Sequence, residues 1–219
     1  LMKDAFVGDF SDVTVTAADA FLYGDATDSG NTKKDTIQGI LDLASSGGAW
    51  ALIGTGEASS SATLDQTGLD STYDCYAVII SDMVPATDAT PLQCRFGDSG
   101  GFDSGASDYE WHVTYQNVGA SAHASTYDAA DSQIDISLNV GSGAGEGYTG
   151  IFYIGTPSDG TTEIMMHGNY TYIADGGSGV TGQFGGVRVS SITLDRVQVF
   201  FASGNIASGR MSVYGISHS

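Results

Sequence analysis

Apolar residues in this chain alternate with polar ones over short runs far more often than they recur at helical spacing. Tyr109, Trp111, Val113 and Tyr115 fall on one parity, with Glu110, His112 and Thr114 on the other. Ile134, Ile136, Leu138 and Val140 alternate with Gln133, Asp135, Ser137 and Asn139. A period of two marks a strand with one buried face. From Ala49 onward the pattern predicts strands only, near 49–56, 61–67, 74–84, 91–97, 109–117, 132–140, 148–155, 162–174, 180–190, 193–202 and 210–217. Clusters of Gly, Asp and Ser separate them, as in an all-β sandwich, and above all a jelly-roll-like one. The expected core is Ile53, Val78, Ile80, Phe96, Trp111, Ile136, Leu138, Val199, Phe201 and Val213. Two hairpins are expected. One joins 74–84 to 91–97 and sets Cys75 opposite Cys94. The other joins Val197–Phe201 to Met211–Ile216 across a loop at 203–209.

The first part of the chain reads differently. Val13–Thr16 and Ala20–Tyr23 are strand-like, and Asp25–Asn31 is a polar turn. Helical spacing occurs once, over Asp35–Ala44, where Ile37, Ile40, Leu41 and Ala44 form a stripe. Asp35 is placed to cap this helix with Gln38 reaching back, and Gly47-Gly48 to end it. So short a helix is not stable alone, so its stripe needs a partner in the following domain or in other copies of the chain. The expected organisation is a connector over 1–46 that anchors and oligomerises, then a β domain over 49–219.

Composition sharpens this picture. Asp and Glu number 26 against 7 Lys and Arg, a net charge of -19, so capture of a nucleic acid by a basic patch is excluded. Gly is abundant at 31 residues while Pro is scarce at 3, which suits tight turns rather than a proline-rich linker. No apolar run approaches the length of a membrane-spanning helix. The opening residues do not read as a secretory leader, and two cysteines do not make a disulfide framework. Buried thiols are the expectation for Cys75 and Cys94, with a cross-strand disulfide as the alternative.

Chemical motifs are sparse. The four histidines, His112, His123, His167 and His218, form no metal-binding spacing. The loop Phe96–Asp108 gathers Asp98, Asp103 and Asp108, but not at EF-hand spacing. These carboxylates are read as turn caps, and a bound calcium ion is the alternative. Gly97-Asp98-Ser99-Gly100-Gly101 matches the nucleophile motif of chymotrypsin-like proteases, yet no His precedes it, so the triad order fails. No other catalytic constellation stands out, and the expectation is no enzyme activity and no cofactor. Tyr127, Tyr148, Tyr170 and Tyr172 are candidates for stacking on a glycan.

The segment Phe21-Leu22-Tyr23-Gly24-Asp25, its turn, Lys33-Lys34 and the stretch to Leu41 resemble a connector of tailed-bacteriophage fibre and appendage proteins. There a short strand, an Asp/Ser/Gly turn, a Lys pair and a short helix precede a β domain. Trp50–Ser59, Thr67–Asp74, Phe102–Tyr109 and Phe201–Gly209 are similar, in order, to the β domain of phage virion proteins. The resemblance implies a virion structural protein, a tail-fibre or appendage subunit located in the particle. It also implies a homotrimer joined to other virion proteins through its N-terminal segment, with host-surface glycan as the ligand. A capsid-decoration or head-fibre protein and a virion-associated carbohydrate depolymerase are the alternatives. It carries over no catalytic residues.

Overall fold

The computed structural model describes residues 16–25, 27, 29–40, 50–120, 123–155 and 160–217. Among the described residues strands hold 62% and helix 3%, an all-β architecture. The chain divides into two compact units, 1–48 and 49–219.

In the first unit, β1 (Ala20–Asp25) pairs antiparallel with β2 (Asn31–Thr36) across a turn in which Ser29 and Gly30 both have positive φ. A single helical turn follows at 37–40. The expected helix start is therefore corrected. Asp35 belongs to the strand, and Thr36 is the cap, its Oγ1 accepting the Gly39 N–H at 3.1 Å. Six residues of cross-strand register satisfy backbone groups that a helix begun at Asp35 would leave to solvent. Ile37 is half-buried and Ile40 exposed, whereas Leu41 and Ala44 lie outside the described residues, as do 13–15.

The second unit is a two-sheet sandwich. Its strands are β3 (Trp50–Ser61), β4 (Leu64–Thr67), β5 (Cys75–Pro85), β6 (Leu92–Asp98), β7 (Gly101–Phe102), β8 (Tyr109–Asn117) and β9 (Ala124–Asp131). They continue as β10 (Ile134–Asp135), β11 (Gly147–Gly155), β12 (Ile164–Ile173), β13 (Gly179–Arg188), β14 (Arg196–Phe201) and β15 (Ile206–Ile216). The larger sheet runs β3-β15-β5-β11-β12-β13-β8-β9, and the smaller β10-β6-β14-β4 with β7 beside β6. All pairings are antiparallel. The interleaving of β6, β14 and β4 from distant parts of the chain is jelly-roll-like, while β11-β12-β13 is a plain meander.

Period-two burial builds the core between the sheets. Ile164, Met166, Tyr170 and Tyr172 of β12 face Leu92, Cys94 and Phe96 of β6 and Val197, Val199 and Phe201 of β14 within one apolar cluster. Each large side chain buried there contributes about 1.5–3 kcal/mol. Of the expected core, eight residues are buried, and Ile53 and Leu138 are partly so. Glycines inside the strands make room for rings. A Cβ at Gly182 would sit 2.6 Å from the Tyr170 hydroxyl, and one at Gly168 would sit 2.6 Å from the Phe184 ring. Tyr109 ties the sheets together: its hydroxyl accepts the Phe96 N–H at 2.9 Å and reaches the carbonyls of Phe96 and Asp103.

Both expected hairpins are corrected. β5 and β6 lie in different sheets, as do β14 and β15, because each connecting loop crosses the sandwich instead of folding back within one sheet. Cys75 pairs with Gly155 and Ile216 and Cys94 with Val199 and Ile134, so the two thiols are free and not opposed. Most of 132–140 is not strand. Only Ile134–Asp135 joins a ladder, and beyond it the Ile136 N–H and the Ser137 hydroxyl bond the backbone of Leu92.

Candidate functional site on the outer face of the large sheet

The outward positions of β11, β12, β13 and β8 are set by strand parity and brought together by register. Ile151 pairs with Asn169, Asn169 with Gln183, and Gln183 with Thr114. One step along, Thr149, Thr171, Thr181 and Gln116 form a parallel row. Two depressions lie on these rows. One of about 500 Å³ is lined by Thr114, Gln116, His123, Asn169, Thr181 and Gln183 among others, and one of about 390 Å³ by Thr149, Ile151, Asn169, Thr171 and Thr181. Sharing Asn169 and Thr181, they form one trough crossing four strands, about 14 Å from β8 to β11 at the usual strand spacing.

The lining sets hydroxyls and carboxamides among apolar surface and carries no carboxylate and no Lys or Arg. Thr181 Oγ1 bonds the Tyr170 carbonyl at 3.2 Å and Gln116 Nε2 the Ala120 carbonyl at 2.8 Å, which fixes those side chains. The Asn169 and Gln183 carboxamides, side by side at the centre, have no hydrogen bond to another described residue. Each brings two N–H donors and a carbonyl acceptor.

Aromatic rings flank the trough. Two residues along β11 and β12, Tyr153 stacks on His167 with centroids 5.6 Å apart. Trp50 lies over Tyr214 at 5.8 Å and meets Tyr153 edge-on at 6.2 Å. It reaches that far because Ala77, the residue between Tyr214 and Tyr153 in the sheet, is small.

The tyrosines expected to stack on a glycan divide by parity. Tyr127 is 73% exposed on the outer face, opposite His112. Tyr148, Tyr170 and Tyr172 face inward, stacked at 5.9 and 5.7 Å and buried, and so are withdrawn from any ligand. Burial pushes the Tyr172 phenol up to about 12. Sequence reasoning missed Thr114, Asn169, Thr181 and Gln183, although their parity, opposite to that of the buried residues on each strand, was there to read.

The other candidates have local roles. Asp98 accepts the Gly100 N–H at 2.7 Å, Asp103 pairs with Arg188 at 2.9 Å, and Asp108 accepts the Gly105 N–H at 2.5 Å. Asp108 also lies 3.9 Å from Arg188, so Asp103 and Asp108 share that guanidinium while Asp98 caps its own turn. Ser99 sits exposed in the β6–β7 turn. Glu110, His112, His123 and His167 are exposed, and His218 lies outside the described residues. No group of three or more His, Cys, Asp or Glu side chains able to hold a metal occurs among the described residues. Among the described residues Asp135 is the one carboxyl pushed well up, to about 6, mainly by burial and secondarily by Asp131 and Asp128, against a bond from Gln93. It lies on β10 of the small sheet, away from the trough. No protein-family model, curated protein or solved structure matches the chain.

Proposed function

We propose that the chain is a structural and attachment subunit of a tailed-bacteriophage virion, of tail-fibre or appendage type. In this reading the sandwich presents the outer face of its large sheet to a glycan of the host surface and performs no chemistry there. The N-terminal unit joins the subunits as a homotrimer and anchors them to other virion proteins. The observation that carries the reading is the trough: hydroxyls and carboxamides among apolar surface, without carboxylate, Lys or Arg, bordered by stacked rings, in a protein of net charge -19. The Gly/Asp/Ser connector and the β-domain stretches similar to phage proteins supply the virion context.

The first unit supports the joining role. A two-stranded ribbon is marginal alone, and this one leaves Leu22 72%, Tyr23 41% and Ile40 44% exposed. Closed cyclic symmetry lets identical chains cover such positions with one another.

The test is immunogold labelling of virions with antibody to the purified protein, together with competition for adsorption. The reading expects gold on tail appendages and slower adsorption when free protein coats the host. Gold confined to the capsid turns the assignment to a decoration protein, and unlabelled particles refute the virion role.

A further inference from the structure

We infer that the ligand of the trough is a linear, uncharged oligosaccharide laid across the strands, gripped by the Asn169–Gln183 carboxamides and resting one ring on Tyr153. The inference rests on the proposed attachment function and specifies the ligand at that site.

Charge comes first. The sandwich has four arginines and no lysine. Arg188 is engaged by Asp103, Arg196 by Asp195 and Arg210 by Glu57, while Arg95 lies over the Phe200 ring. None lines the trough. A sialylated, sulfated or phosphorylated glycan would find no Lys or Arg there, only the His123 imidazole at one end, and would be repelled by the field of the whole protein. An amino sugar would find no carboxylate. An uncharged polyol pays neither penalty.

Hydrogen-bonding chemistry comes second. A sugar hydroxyl both donates and accepts, and so does a carboxamide. Asn169 and Gln183 are cross-strand partners with those valences unused by any other described residue, and the Thr114 and Thr181 hydroxyls border them. Shape agrees. The trough is long and runs across β11, β12, β13 and β8, which suits a chain of rings rather than a compact metabolite. Tyr153 is half-buried and held by its stack on His167 and its T-shaped contact with Trp50, so the part of its ring left to solvent is preformed and loses little freedom on binding.

A glycan array and calorimetry decide it. The neutral probes are oligosaccharides of dextran, mannan, galactan and β-glucan, and the anionic ones are hyaluronan and polysialic acid. The expected result is binding of at least one neutral series, tightening with length until the trough is filled and unchanged from low to high salt. Asn169→Ala with Gln183→Ala should weaken it about tenfold or more. Tyr153→Ala should weaken it separately, with both variants melting as the wild type does. Binding confined to the anionic probes overturns the inference and leaves glycan attachment standing. Neutral binding that survives the double substitution overturns the assignment to the trough. Folded protein that adsorbs to host cells yet binds no arrayed glycan refutes the inference alone, whereas failure to adsorb as well refutes the attachment function with it.

Discussion

The sandwich has two outer faces, and they are finished differently. On the small sheet the polar side chains bond one another. Gln93 donates to Asp135 at 2.7 Å and Gln198 to Asp65 at 3.0 Å. Arg95 bonds the Ser132 carbonyl and Gln133 and lies 4.6 Å over the Phe200 ring. On the large sheet the central carboxamides of Asn169 and Gln183 bond no other described residue, and Trp50 and Leu52 stay 42% and 59% exposed. One face has its polar groups satisfied internally, and the other holds donors, acceptors and rings toward solvent. Exposed apolar surface beside unsaturated polar groups is where a monomer's surface departs from the ordinary.

The comparison would break if the subunits joined through the large sheet. If the chain is the proposed homotrimer, Ile40→Asp with Leu41→Asp should convert it to monomer while the sandwich stays folded, as light scattering and circular dichroism would report. An oligomer that survives places the contact on the sandwich and makes the open face a subunit interface. Beneath both faces, Tyr170→Ala should cost about 3–5 kcal/mol in urea unfolding, because it empties a ring site built against Gly182. A loss under 1 kcal/mol, on the order of a surface substitution, would mean that the inner face is not packed as described.

The small sheet has one strained position. Asp135 titrates near 6 in the folded protein against 3.8 when exposed. The unfolded chain releases this proton first as pH rises, so folding stability falls between these two values and the cost is fully present above about 6. Asp135→Asn should therefore stabilise by about 2–3 kcal/mol at neutral pH and by almost nothing near pH 4. Equal effects at both pH values would contradict the burial account. Smaller still, Arg95→Ala should cost about 1–2 kcal/mol through two hydrogen bonds and a cation–π contact. Asn169→Ala with Gln183→Ala should change stability by less than about 0.5 kcal/mol. Equal losses for these last two would erase the distinction between the faces.

Much of the fold was legible because burial on one side imposes a period of two. β8 and β12 declare themselves by alternation and β5 by the continuous apolar run Tyr76–Ile80. β9 does not: Ala124–Asp131 is almost wholly exposed and is a strand because β8 offers it a ladder. The segment 132–140 shows the opposite failure, since most of its apolar residues are buried while its backbone joins a ladder only at Ile134–Asp135, with isolated bridges at Val140. Alternation reports burial and not hydrogen bonding. It is equally silent on which sheet a strand joins, which is why the β14–β15 loop read as a hairpin. The trough was half legible. Parity puts Asn169 opposite Tyr170 and Tyr172, but bringing Thr114 to Gln183 depends on β8 pairing with β13, a contact between distant segments that no local pattern encodes. Glycine was silent as well: Gly168 and Gly182 fall inside the expected strands 162–174 and 180–190, but nothing local marks them as sockets for rings.

The most direct measurement is a titration of the isotopically labelled protein followed by NMR, with the oligosaccharide that binds best. The account predicts that the side-chain NH₂ signals of Asn169 and Gln183 shift first and furthest, with those of Gln93 and Gln198 on the small sheet unmoved. Shifts centred on the small sheet or on the loops, with the Asn169 and Gln183 signals still, would contradict it.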